Sequence, residues 1–245
     1  MLHVEGFESL LSSVADRPLS LWGKSIALDG SVKRVVDEAL KGDRVIEIIG
    51  KTEGSIPKDS LPTCIHCPSS SEEFLQIKLP ILVFVMKNLK QEGKIEFQIT
   101  DRLQFRRRFI LITNAIREKI PKITPTTAFL PFVLEDGWNM LEIDLRSLCK
   151  EVYLTDYMCL NRVILFPNFR LRRIYLQDRH YEANETPKEI FDAFSEFYKF
   201  RKKTIKGVDK ICQTQMLTRK IVQKPIKKKK KMKKSEEEMS SNSKT

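Results

Sequence analysis

Four groups of residues have the types and spacing to do chemistry. Cys64-Ile65-His66-Cys67 puts two thiols and an imidazole within four positions, the ligand types of half a zinc site. A second ligand pair at finger-like spacing is missing, since Cys149, Cys159 and Cys212 are isolated and His3 and His180 are remote, so no metal and no cofactor is expected. With three histidines, no Gly-x-Ser-x-Gly elbow, no Gly-rich phosphate loop and no paired-carboxylate word, nothing marks a catalytic centre. The second group is Arg106-Arg107-Arg108 between Phe105 and Phe109. Strand alternation sets Arg106 and Arg108 on one face and Arg107 with the phenylalanines on the other. Arg170, Arg172 and Arg173 repeat the motif. Exposed guanidinium groups suit an acidic partner through bidentate pairing; the competing expectation is arginines that are solvated or paired within the chain, Arg107 above all. Third, Lys227, Lys228, Lys229, Lys230 and Lys231, with Lys233 and Lys234, form a polybasic run suited to phosphates, nuclear import or acidic protein tails. Last, Trp138 after Asp136-Gly137, and Trp22, have the chemistry of sugar-stacking platforms, although a core or rim tryptophan is the simpler expectation.

Short strands punctuated by Gly, Pro, Asn, Asp and Ser must position these groups, a spacing that predicts a β-sandwich or barrel. Val45 to Ile49 and Phe74 to Leu79 read as strands, and the nearly all-apolar Ile81 to Met86 reads as a strand covered on both faces. In Lys94 to Asp101, Ile95, Phe97 and Ile99 alternate with Lys94, Glu96 and Gln98. Trp138 to Leu145 follows a turn and leads into a short crossover helix over Leu145–Tyr153. Cys159 to Phe166 and Phe169 to Leu176 are joined at Pro167-Asn168; for Leu171 and Ile174 both to face a core, the second needs a bulge near Arg172-Arg173. Thr186-Pro187-Lys188-Glu189 is a helix start, with a Thr cap, Pro at the first position and Glu three residues after the cap. Ile190, Phe191, Phe194, Phe197 and Tyr198 then form an apolar stripe that needs a partner. The expected organisation is a body over 1–186, a helical segment over 187–223 and a disordered polybasic tail over 224–245.

The chain has 245 residues and a net charge of +12, with 44 Lys+Arg and 32 Asp+Glu. Residues 200–245 hold 16 of the basic and 4 of the acidic residues, leaving 28 of each in the body. The body is therefore neutral, and the overall charge says nothing about its function. The first 30 residues lack the cationic start and apolar core of a secretory signal, and the longest apolar run, Leu79 to Met86, contains Pro80, so an intracellular chain with reduced thiols and no membrane span is expected.

Several words of the body occur in the order of a known family. They are Arg17-Pro18-Leu19-Ser20-Leu21-Trp22, Gly30-Ser31-Val32-Lys33-Arg34-Val35-Val36-Asp37, Ile77-Lys78-Leu79-Pro80, Lys87-Asn88-Leu89-Lys90, Arg106-Arg107-Arg108-Phe109, Asp136-Gly137-Trp138-Asn139, and Leu171-Arg172-Arg173-Ile174-Tyr175 followed by Asp178-Arg179. Together the chain resembles the cilia- and flagella-associated protein 20 family over residues 7–190. The resemblance implies a mainly β, jelly-roll type β-sandwich without enzymatic activity. It implies a structural component of axonemal doublet microtubules, in cilia, flagella or basal bodies, at or near the inner junction where the B-tubule closes onto the A-tubule. Tubulin and the Parkin co-regulated protein are the implied partners, with the arginine clusters as candidate contacts; the lysine run lies beyond the resemblance, and its attraction to acidic tubulin tails is read from its charge. The alternative is a nuclear or RNA-associated module using the lysine tail, although the strands carry no aromatic RNA-binding word. The chain departs from the family wording between Thr113 and Phe129 and continues past the usual end near Ile190.

Overall fold

Strands dominate because apolar side chains alternate at period two through most of the body. The computed structural model describes residues 3–4, 6–51, 61–113 and 121–181. The expected helical segment and lysine tail lie outside the described residues.

Two sheets of seven strands face each other. The first contains β1 (His3–Val4), β2 (Phe7–Ser12), β4 (Ser31–Val36), β5 (Arg44–Ile49), β7 (Ile81–Asn88), β12 (Gly137–Asp144) and β14 (Phe169–Gln177). β14 is its hub: it pairs with β7 along its whole length on one side, and with β2 and β5 on the other. The second runs in the order β10 (Lys122–Ile123), β11 (Thr127–Phe132), β9 (Arg106–Thr113), β8 (Gly93–Asp101), β13 (Tyr157–Leu165), β6 (Cys64–Cys67) and β3 (Gly23–Ser25). Pairing is antiparallel except between β9 and β11.

The core lies between the sheets, with Phe84, Phe97, Phe109 and Phe169 among its largest fully buried side chains. Gly93 belongs there because a Cβ would sit 2.2 Å from the Phe169 ring. Ile95, Phe97 and Ile99 all reach 0% exposure, as the alternation in β8 predicts. β7 is buried on both faces: Leu82, Phe84 and Met86 join the main core while Val83 and Val85 join a smaller cluster behind the sheet. The expected bulge is present, a register shift between Leu171 and Arg173 against β7, and it brings both Leu171 and Ile174 to 0% exposure. Helix α1 (Leu145–Tyr153) is capped by Asp144, whose carboxylate accepts from the Arg146 and Ser147 amides at 3.0 and 3.2 Å.

One expected strand is corrected. Phe74 to Leu79 is not a strand, because Gln76 takes a left-handed conformation (φ +54°) that interrupts the extended backbone, leaving an isolated bridge from Ile77 to Leu160.

Candidate functional site

The β8–β9 hairpin turns on Asp101, which is fully buried. Its carboxylate accepts from the Phe105 amide at 2.8 Å, from Arg107 Nε and Nη2 at 2.9 Å each, and from Thr155 Oγ1 at 3.0 Å. Both Arg107 donors converge on Oδ2 while the Phe105 amide takes Oδ1, a charge-assisted arrangement that fixes direction as well as contributing energy. Arg107 also donates to the Pro125 carbonyl and lies over the Phe105 and Tyr153 rings, 4.9 and 4.6 Å from their centroids. It is an internal strut, as its place on the phenylalanine face implies.

Anchored in this way, residues 102–106 project as an exposed knob. Leu103 is 63% exposed and Phe105 55%, and Met158 and Leu154 are exposed on the neighbouring segment, which the Arg102 amide reaches by donating to the Asp156 carbonyl at 2.8 Å. Large exposed apolar side chains at a hairpin tip, with the exposed Arg102, Arg106 and Arg108 close by in sequence, supply the apolar and cationic parts of an interaction surface. The Arg106 guanidinium lies 4.5 Å from the Phe74 centroid, which holds it across the strand. Arg108 pairs with Glu96 at 3.0 Å while keeping half of its side chain in solvent.

The Phe74 platform depends on an arginine that sequence reading passed over. Arg162 is buried, and its guanidinium donates to the carbonyls of Pro68, Ser70, Ser71 and Glu73 at 2.9–3.4 Å. Hydrogen bonds from a charged donor contribute about 1.5–3 kcal/mol each where they are buried, and they overlap in effect. Arg162→Ala is expected to destabilise the body by about 2–4 kcal/mol and to speed amide exchange across residues 68–74, which hydrogen-exchange mass spectrometry reads directly.

In the second arginine cluster, Arg170 and Arg172 are paired within the chain, the competing one of the two expectations. Arg170 donates to Asp37 at 2.8 Å and to Glu47 at 2.6 Å. Arg172 is 6% exposed and donates to Ser13 Oγ at 3.2 Å and Asp43 at 2.6 Å. Arg173 is half-buried; burial, with the Arg172 charge beside it, lowers its pKa. Asp37 gathers Arg170, Lys87 at 2.9 Å and Trp138 Nε1 at 3.3 Å, so Trp138 is a rim residue tied into an ion-pair network. Trp22 is buried and donates to the Leu10 carbonyl at 2.8 Å. Of the predicted contacts, then, Arg106 and Arg108 share an exposed face, Arg170, Arg172 and Arg173 do not join it, and Lys227 to Lys231 lie outside the described residues. The apolar tip was missed, although Leu103 and Phe105 two apart in a turn, where Gly, Asn or Asp is usual, are a readable signal.

Cys64 and Cys67 are both buried; burial raises the Cys64 thiol and pushes Cys67 up to about 12, so neither supplies a thiolate near neutral pH. His66 Nδ1 lies 3.0 Å from the Pro68 carbonyl oxygen. Among the described residues no three His, Cys, Asp or Glu side chains converge as a metal site would require. No described helix is long and apolar enough to cross a membrane.

Comparison with solved structures finds the family 11 carbohydrate-binding module of Clostridium thermocellum at a TM-score of 0.38 and 11% identity, covering 74% of this chain and 100% of that one. By sequence, the cilia- and flagella-associated protein 20 of Chlamydomonas reinhardtii is 34% identical over 185 residues, 76% of this chain and 91% of that protein. Its namesake in Caenorhabditis elegans is 32% identical over the same share of this chain and 85% of its own. The pattern of the CFA20 domain matches residues 2–193. A domain match that spans the whole sandwich, with a third of positions shared with these relatives, makes this chain a member of the CFA20 domain family.

Proposed function

We propose that the protein is a non-enzymatic structural component of ciliary and flagellar axonemes that docks on the tubulin wall of doublet microtubules, at or near the inner junction between A- and B-tubules. The names of its relatives tie the family to cilia and flagella. The single observation that carries the docking mode is the β8–β9 knob, with Leu103 and Phe105 exposed between arginines on a rigid, Asp101-anchored hairpin. Tubulin surfaces are rich in carboxylates, which Arg102, Arg106 and Arg108 are suited to pair while the two apolar residues are desolvated. A neutral, tightly packed body suits a long-lived position in a lattice, with the lysine tail adding salt-sensitive attraction. The Parkin co-regulated protein is the neighbour this position implies.

The test is Arg106→Glu in ciliated cells; Arg108 is left in place because Glu96, whose side chain is 9% exposed, would lose its partner. The variant is expected to keep its melting temperature within about 2 °C, since a substitution at an exposed position changes stability by about 0.5 kcal/mol or less, and to fall about tenfold or more in salt-washed axonemes. Full retention in salt-washed axonemes would remove the knob as the docking element. Recovery of the natural chain in a nuclease-released nuclear fraction would replace the axonemal reading with the nuclear one.

A further inference from the structure

The outer face of the first sheet carries apolar side chains that the sandwich core does not explain. Val83 and Tyr175, with Val85 and Phe7, point away from the second sheet and form a cluster of their own. Their exposures are 0% for Val83, 2% for Val85 and Tyr175, and 4% for Phe7. Those are core values on a face that lies behind the core. Neighbours within a sheet shield one another sideways, but such low exposure calls for a layer above. Of the apolar side chains grouped with these residues among the described ones, Tyr181 alone comes from outside the strands.

Tyr181 also shows where the chain is heading. The β14–β2 ladder runs on for one more bond, from the Asp178 amide to the Gly6 carbonyl at 3.0 Å, after which the Tyr181 ring settles 4.7 Å from that of Phe7. His180 Nδ1 lies 2.6 Å from Glu142 on the same face. The described residues end at this point, on the cluster. Five residues later the sequence begins its capped helix, and Ile190, Phe191, Phe194, Phe197 and Tyr198 follow at three- and four-residue spacing. The dimensions agree. Five extended residues reach at most about 18 Å, and Ile190 to Tyr198 spans about 12 Å along a helix. The four strands β2, β14, β7 and β12 that carry the cluster span about 14 Å across.

We propose that residues 187–199 form an amphipathic helix laid across the outer face of the first sheet, its apolar stripe sealing Val83, Val85 and Tyr175 and resting on the half-buried rim of Trp138 and Met140. The protein is then a three-layer body, helix on sheet on sheet. Arg106 and Arg108 lie on the other side of the sandwich, on the outer face of the second sheet. This inference stands apart from the axonemal reading and survives if that reading fails.

Hydrogen-exchange mass spectrometry on the full chain tests it, with sedimentation velocity to report the oligomeric state. Amides of 187–199 are expected to exchange about tenfold or more slowly than an unstructured peptide, in a monomer and independently of protein concentration. Phe194→Asp from the helix side and Met140→Asp from the sheet side should each abolish that protection while β8 and β13 stay protected. Ile112→Asp, on the outer face of the second sheet, should leave it unchanged. Fast exchange over 187–199 in the natural chain would overturn the proposal, as would protection that survives both substitutions. Loss of protection in Ile112→Asp would place the segment on the wrong face. Protection that appears only with dimer mass would assign the surface to a second copy and overturn the intramolecular arrangement.

Discussion

Asp37→Ala is expected to lower the melting temperature of the protein by about 10 °C. Asp37 is 0% exposed and its carboxylate is shared by Arg170 at 2.8 Å, Lys87 at 2.9 Å, Trp138 Nε1 at 3.3 Å and the Ala39 amide at 3.1 Å. Removing one partner of a buried pair costs about 3–5 kcal/mol, because the charges left behind are no longer compensated. Arg170 and Lys87 each keep about a quarter of the side chain in solvent, at 27% and 24%, so water takes up part of that loss and the lower end, about 3 kcal/mol, applies. For a chain of this length each kcal/mol moves the melting temperature by about 2–4 °C. Glu47 still faces Arg170 at 2.6 Å, which keeps that arginine in place in the variant.

The network also sets a pH dependence. Burial raises the Asp37 pKa, but the hydrogen bonds from Arg170, Lys87 and Trp138 outweigh it and bring the pKa below 3.8. A carboxyl whose folded pKa is depressed stabilises the fold above its unfolded pKa and loses that contribution as the pH falls through the folded value. The gap in melting temperature between the natural chain and Asp37→Asn is therefore expected to be full at neutral pH and to narrow below about pH 4, followed by circular dichroism. A gap that stays constant down to strong acid would show that the carboxylate charge contributes nothing.

Asp101→Ala carries the second large effect, and it reaches the docking surface as well as stability. The substitution strips the Phe105 amide, the Arg107 fork and Thr155 of their common acceptor, with Arg107 only 12% exposed, so a loss of about 3–5 kcal/mol is expected. The hairpin would lose the contact that aims residues 102–106, and axonemal retention should fall with stability. The contrast with Arg106→Glu is diagnostic, since that variant should lose retention alone. A double-mutant cycle with Arg107→Ala isolates the pair: a coupling of about 1 kcal/mol or more supports the ion pair as the hinge of the hairpin, and additive effects would refute it.

Much of the sandwich was legible because strand formation leaves a local trace. Alternation in β8, the apolar run of β7 and the turn at Asp136-Gly137, where Gly137 takes φ +84°, each sit within a few residues. Even the bulge in β14 followed from three-residue spacing between Leu171 and Ile174, which a regular strand cannot send to one side. The miss at Phe74 to Leu79 has the opposite cause: alternation was present, but one left-handed residue, Gln76, undid it.

What the sequence by itself determined, then, is the strand pattern, the separation of a neutral body from a basic tail, and the resemblance to a family that the domain match bears out. Arg107 apart, tertiary structure alone decided the fate of these arginines. Arg106, Arg107, Arg108, Arg170 and Arg172 look alike as words, yet Arg170 meets Asp37 from 133 residues away and Arg172 meets Asp43 from 129. Periodicity assigns a side chain to a face of its own strand. Whether that face finds a carboxylate or water depends on how distant strands are laid together, and this is why the exposed knob and the buried struts could be told apart only in the folded chain.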